Sequence, residues 1–233
     1  MKRLLVLALL LGAAAAAAAP AGATNECKGL MACVPVAGPW VIVPVGRAVP
    51  RPRVEYQLSC PKGFIVGGLD AQLSDRAIDL GFLGTLGSPV NPGITTARTA
   101  VFVGTYVGAS ARGPSFRPHI GCMPTSGGGS RLPTAVGAFP PGKPTVRRVK
   151  TVGVPPGGVA RAILACARGE TLIAATHAAA VFGKTPPSAR VAGAIRAVQT
   201  VRGGRVIVDV RGGTALRGVA AVVQVDAVCA GGK

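Results

Sequence analysis

Tyr56-Gln57-Leu58-Ser59-Cys60-Pro61-Lys62-Gly63 is echoed much later in the chain by Ala162-Ile163-Leu164-Ala165-Cys166-Ala167-Arg168-Gly169. In both stretches an apolar-rich segment runs into a cysteine that opens a Cys-x-x-Gly turn. Further apolar runs follow, Phe64-Ile65-Val66 in one case and Thr171-Leu172-Ile173 in the other, while Val49-Pro50 and Val154-Pro155 lie upstream. Cys60 and Cys122 are separated by 61 residues, Cys166 and Cys229 by 62. Matched spacing with matched flanks predicts an internal duplication and the disulfides Cys60–Cys122 and Cys166–Cys229. Cys27 and Cys33 are then left to close a small loop. All six cysteines are accounted for, and none stands at the Cys-x-x-Cys spacing of a structural zinc site. A disulfide closing a loop of some 60 residues contributes ~4 kcal/mol through loop-closure entropy. Units of this size have marginal cores and need that help.

The segments around the cysteines read as strands. Val198–Val201 and Val206–Val210 flank Arg202-Gly203-Gly204-Arg205, where Gly-Gly suits a two-residue hairpin turn. In such a hairpin Val206, Val208 and Val210 share one face, and Asp209 points the other way toward solvent. Val219–Val228 leads into Cys229, Thr99–Val107 is rich in β-branched and aromatic residues, and Thr145–Val152 forms a further strand. Trp40-Val41-Ile42-Val43 is expected to add an edge strand to the first half. Short apolar segments punctuated by Gly and Pro predict an all-β protein of two tandem disulfide-stapled β-sandwich or jelly-roll-like domains. An immunoglobulin topology is disfavoured, because Ile120 and Ala227 stand two residues before the second cysteines, where that fold places Tyr.

At the amino terminus, Lys2-Arg3, the apolar run Leu4–Ala19 and the small residues Ala21-Gly22-Ala23 have the order of a secretory signal peptide over residues 1–23. The first domain is then 24–125. The Ser126-Gly127-Gly128-Gly129-Ser130 spacer opens a Gly/Pro-rich linker and a second domain, 126–233. No later apolar run approaches the ~20 residues of a membrane helix. Export and an even cysteine count agree on a secreted or envelope-associated protein in an oxidising compartment.

The formal charge is +18, unevenly distributed. Residues 24–125 hold 9 basic and 5 acidic residues, whereas 126–233 hold 15 and 3. A charge this dense attracts polyanions. Only Phe139 and Phe182 supply aromatic rings in the second half, which argues against specific single-strand nucleic-acid binding. The residues expected to hold an anionic envelope polymer or polysaccharide are Arg147, Arg148, Lys150, Arg202 and Arg205. Arg148 and Lys150 share a face if their segment is a strand.

Acid–base chemistry is sparsely provided for, with two histidines and eight carboxylates in the whole chain. Phosphate-loop, zinc-protease and Gly-x-Ser-x-Gly motifs are absent. No cofactor or metal is indicated, since Asp70, Asp75 and Asp79 match no calcium-loop spacing. The leading expectation is a non-catalytic protein that binds or coats at the cell envelope. One alternative is a secreted hydrolase using His119 with Asp70, Asp75 or Asp79. The other is a purely structural surface-layer protein. His177, within an apolar segment, is expected to be a hydrogen-bonded interior residue.

Overall fold

The computed structural model describes residues 24–83, 98–109, 113–125 and 145–231. The expected leader, the spacer and boundary near residue 126, and the turn-rich loop around Ser88-Pro89 and Asn91-Pro92-Gly93 lie outside these residues. Thirteen strands run through the described part. Seven precede residue 126: β1 Val34–Ala37, β2 Trp40–Ile42, β3 Arg53–Ser59, β4 Phe64–Leu73, β5 Ile78–Leu83, β6 Thr99–Tyr106 and β7 Ser115–Pro124. Six follow: β8 Thr145–Gly153, β9 Val159–Ala165, β10 Glu170–Val181, β11 Ile195–Arg202, β12 Arg205–Gly212 and β13 Ala221–Gly231. One short helix, α1 Ala189–Ala192, is capped by the Ser188 hydroxyl. The protein is all-β, as its sequence predicts.

The three disulfides are those expected: Cys27–Cys33, Cys60–Cys122 and Cys166–Cys229. The hairpin also forms where Gly203-Gly204 places it. Both glycines take positive φ, +56° and +70°, the conformation a two-residue type I′ turn requires.

The strands form three antiparallel sheets. The order β3-β6-β5 makes one and β11-β12-β9 another. The third has seven strands, with β4 on one edge of β7, β1 and β2 successively on its other edge, and then β10, β13 and β8. Here the structure corrects an expectation. β2 is not an edge strand: Val41 pairs with Phe116 of β7 on one side and with Ala180 of β10 on the other. Val41 is fully buried, so β2 joins strands from both halves of the chain into one sheet.

Strand alternation sorts the cores onto the two faces of this sheet. Val41, Phe116, Ile120, Cys122, Ala178 and Ala180 point to one face and pack with Val54, Tyr56, Ala100 and Phe102 of the β3-β6-β5 sheet. Val181, Val223, Val225, Ala227 and Cys229 point to the other and pack with Ala162, Val206, Val208 and Val210 of the β9-β12-β11 sheet. The central sheet thus has one small sheet on each face. Gln224 of β13 adds a polar tie across the first interface. Its Oε1 accepts from the Gln57 amide at 2.6 Å and its Nε2 donates to the Gln57 carbonyl at 3.1 Å, satisfying the unpaired edge of β3.

A continuous sheet should unfold as one unit. Replacing Cys166 and Cys229 by Ala should lower stability by about 4 kcal/mol and preserve a single denaturant transition. Trp40 fluorescence and far-UV circular dichroism should report the same midpoint. Two separated transitions would contradict the shared sheet.

Candidate anion-binding face

The outer face of the β9-β12-β11 sheet is set by simple alternation. Val206, Val208 and Val210 turn inward, so Arg205, Ile207, Asp209 and Arg211 turn outward. Their neighbours follow from register. Arg202 lies opposite Arg205, Thr200 opposite Ile207, Val198 opposite Asp209, and Arg196 opposite Arg211 on β11. On β9, Ile163, Arg161 and Val159 lie opposite Ile207, Asp209 and Arg211. The face therefore presents an arginine pair at each end of the β11–β12 hairpin, with apolar side chains between them and alongside. Val159 and Val198 are 71% and 65% exposed. A cavity of about 720 Å³ opens here, lined by Val159, Arg161, Arg196, Val198, Asp209 and Arg211.

The electrostatics of the face are unbalanced. Asp209 is its single carboxylate, and it is taken up by Arg161, whose Nε donates to Oδ1 at 2.5 Å. The Arg196–Arg211 and Arg202–Arg205 pairs have no ion-pair partner among the described residues. Like charges directly opposite on a strand pair are destabilising, by a few tenths to 1 kcal/mol in order of magnitude. Two such pairs form an arrangement that an external anion would relieve.

The five cations predicted from sequence separate in space. Arg202 and Arg205 lie on this face. Arg148 and Lys150 do share a side of β8, the side of the second core. Arg148 is held by Glu170, its Nη2 and Nε donating to the two carboxylate oxygens at 2.7 and 3.1 Å. Lys150 is exposed, with Nζ 3.5 Å from the Ile163 carbonyl. Arg147 points to the opposite side of β8, where its side chain is only 5% exposed. There it donates to Glu55 of β3 at 2.8 Å and to Asp226 of β13. Its charge is enclosed between two carboxylates and is not offered to an external ligand. Arg196 was absent from the sequence reading, although counting outward from the Gly203-Gly204 turn places it opposite Arg211.

The hydrolase alternative places its residues as follows. Asp70 of β4 is directly opposite His119 of β7. Asp75 instead holds a turn, accepting from the Ala77 amide at 2.8 Å, and Asp79 pairs in register with Thr105 in a different sheet. The carboxylate nearest His119 is Glu26, with Oε1 3.5 Å from Nδ1. Nε2 of His119 is buried without a hydrogen-bond partner among the described residues. Burial holds the His119 imidazole below its ordinary value, with Arg117 adding to the effect. His177 makes the expected hydrogen bond, its Nδ1 3.0 Å from Gln199 Oε1, but it is half-buried and not interior. Neither a family model, nor a curated protein, nor a solved structure matches the chain.

The Arg147 cluster carries a pH signature. Burial pushes the Asp226 carboxyl up to about 6; Arg147 opposes the shift, and the neighbouring Glu55 carboxylate adds to it. An unfolded Asp titrates near ~3.9, so the folded state holds this proton more tightly. The contribution of Asp226 is then most favourable below about pH 4 and is lost as pH rises to about 6, by roughly 2–3 kcal/mol. Asp226→Asn should remove that slope. Denaturant midpoints of both proteins from pH 4 to 7 test this, and parallel curves would contradict it.

Proposed function

We propose that the chain is two copies of one β-sandwich unit, exported from the cytoplasm, which acts without catalysis. Its task is to bind an anionic envelope polymer on the outer face of the β9-β12-β11 sheet. Three disulfides fit a non-cytoplasmic location. Support for the duplication comes from matched strand pairing. The order β3-β6-β5 corresponds to β9-β12-β11, and β4-β7 with β1 and β2 corresponds to β10-β13-β8. The register agrees at single residues. Val66 opposes Cys122 and Leu172 opposes Cys229, each six positions past the first cysteine of its unit. A register shift follows at the next position in both, between Val66 and Gly68 and between Leu172 and Ala174. Bulges are family features of a fold, and two independent units would have no reason to share one at the same place.

The observation that carries the binding reading is the pair of unneutralised cross-strand arginine pairs, Arg196–Arg211 and Arg202–Arg205. They lie on one exposed sheet whose equivalent in the first unit lacks them. There the register position of Arg205 is held by Thr99 and that of Arg211 by Thr105, which faces Asp79, and β3, β5 and β6 carry Glu55 and Asp79 with Arg53 as their one cation. Guanidinium forks at fixed separation suit the carboxylates or phosphates of an extended polymer. The apolar residues between them suit its uncharged parts.

Binding of the purified protein to an anionic cell-wall polymer, an acidic polysaccharide and DNA, titrated with salt, tests this reading. Arg196→Glu with Arg211→Glu should weaken polymer binding at least tenfold. Arg168→Glu with Arg217→Glu changes the net charge equally at exposed positions elsewhere and should weaken it far less. Equal losses in the two variants would reduce the interaction to net charge and sink the assignment.

A further inference from the structure

On the central sheet, where Asp70 of β4 lies opposite His119 of β7, a second cluster of polar groups is built around the buried Glu26. We infer that Glu26 and Asp70 form a receptor for the free α-ammonium of Thr24, created by cleavage of the chain between Ala23 and Thr24.

The first argument is a missing cation. Glu26 is buried, and among the described residues its Oε2 has no hydrogen-bond partner. Its Oε1 receives only the Thr24 hydroxyl at 3.1 Å and the His119 ring at 3.5 Å. Burial lowers the pKa of the His119 imidazole and so disfavours its cationic form. Among the described residues no lysine or arginine pairs with Glu26 or Asp70. A buried carboxylate without a cation carries a desolvation cost of several kcal/mol, on the order typical of buried ions.

The second argument is reach. The Asn25 amide donates to Asp70 Oδ2 at 2.6 Å. Two backbone atoms separate that amide nitrogen from the nitrogen of Thr24, which places the two within about 4 Å of one another. An ammonium on Thr24 therefore lies within roughly 6 Å of the Asp70 carboxylate, where an opposite charge is felt strongly. The hydroxyl of the same residue already touches Glu26.

The third argument is that the segment is seated firmly. The Glu26 carbonyl rests on the sheet at Gly68 and Gly121, where an added Cβ would come within 1.8 and 2.1 Å of it. The Cys27–Cys33 disulfide closes the loop that follows. Only glycines allow this approach, so the chain start is docked by design of β4 and β7.

In the uncut chain the Thr24 nitrogen is an uncharged amide. Hydrolysis adds water across the Ala23–Thr24 peptide bond. The hydroxyl goes to the Ala23 carbonyl, and the hydrogen goes to the Thr24 nitrogen, which takes a further proton at neutral pH. The small residues Ala21-Gly22-Ala23 suit an export peptidase. Processing thereby supplies the cation that Glu26 and Asp70 lack and makes the mature form more stable than its precursor. The inference rests on the export reading for the origin of the cut alone.

Two fully disulfide-bonded chains, released from a fusion so as to begin at Thr24 or at Ala23, provide the test. The Thr24 chain should melt about 3 °C or more above the Ala23 chain. Its α-amine should be acylated roughly tenfold more slowly at pH 7, as an amine with a pKa raised by about one unit would be. Both differences should disappear with Glu26→Gln and Asp70→Asn together. If that variant does not fold, the acylation rates of the unsubstituted chains decide. Equal melting and equal acylation would overturn the docking, as would differences that persist without the carboxylates. An exported protein that begins at a residue other than Thr24 would overturn the assigned cut while leaving the in vitro comparison to judge the receptor.

Discussion

Val41 lies opposite Phe116 on one side and Ala180 on the other, and this double pairing determines how everything else is arranged. It makes strands from both halves of the chain one seven-stranded sheet. A sheet of that width with apolar side chains on both faces must be covered twice. The β3-β6-β5 sheet covers one face and the β9-β12-β11 sheet the other. In the second half the outer surface of the small sheet is exposed and basic.

The same arrangement explains why cations of one chain segment have different fates. Arg147 and Arg148 are neighbours on β8, and strand alternation sends them to opposite faces. Arg147 meets Glu55 and Asp226 at the junction of the two halves. Arg148 meets Glu170 beside the Cys166–Cys229 bridge. Both are therefore compensated within the protein. The arginines of the β11–β12 hairpin point away from every carboxylate except Asp209, which serves Arg161. A high net charge is thus partly internal, and on the β11–β12 hairpin four outward arginines stand without a carboxylate partner among the described residues.

Features governed by short-range rules were legible in the sequence. Cysteine spacing identified the disulfides, Gly203-Gly204 identified the turn, and the valine alternation in β12 identified its buried side. Features that join distant segments were not. The union of β2 with β10 rests on two residue pairs between stretches far apart in the chain, and Trp40-Val41-Ile42 reads equally well as an edge. The burial of Arg147 depends on Glu55, whose position over β8 follows from that union. Glu26 escaped notice beside His119 because its approach depends on the absence of side chains at Gly68 and Gly121, a condition visible only once β4 and β7 are paired. The candidate face itself was half legible: Arg202 and Arg205 were found, whereas Arg196 required the hairpin register to be followed to its far end.

The most direct test of the account is to map where an anion contacts the protein. Amide and arginine side-chain resonances of the isotope-labelled protein would be followed while a short anionic cell-wall oligomer is added at moderate salt. The account predicts that shifts concentrate on β11, β12 and β9, at Arg196, Arg202, Arg205, Arg211 and the intervening Val198, with Arg147 and Arg148 unaffected. Shifts scattered over all exposed cations, or centred on another surface, would contradict it.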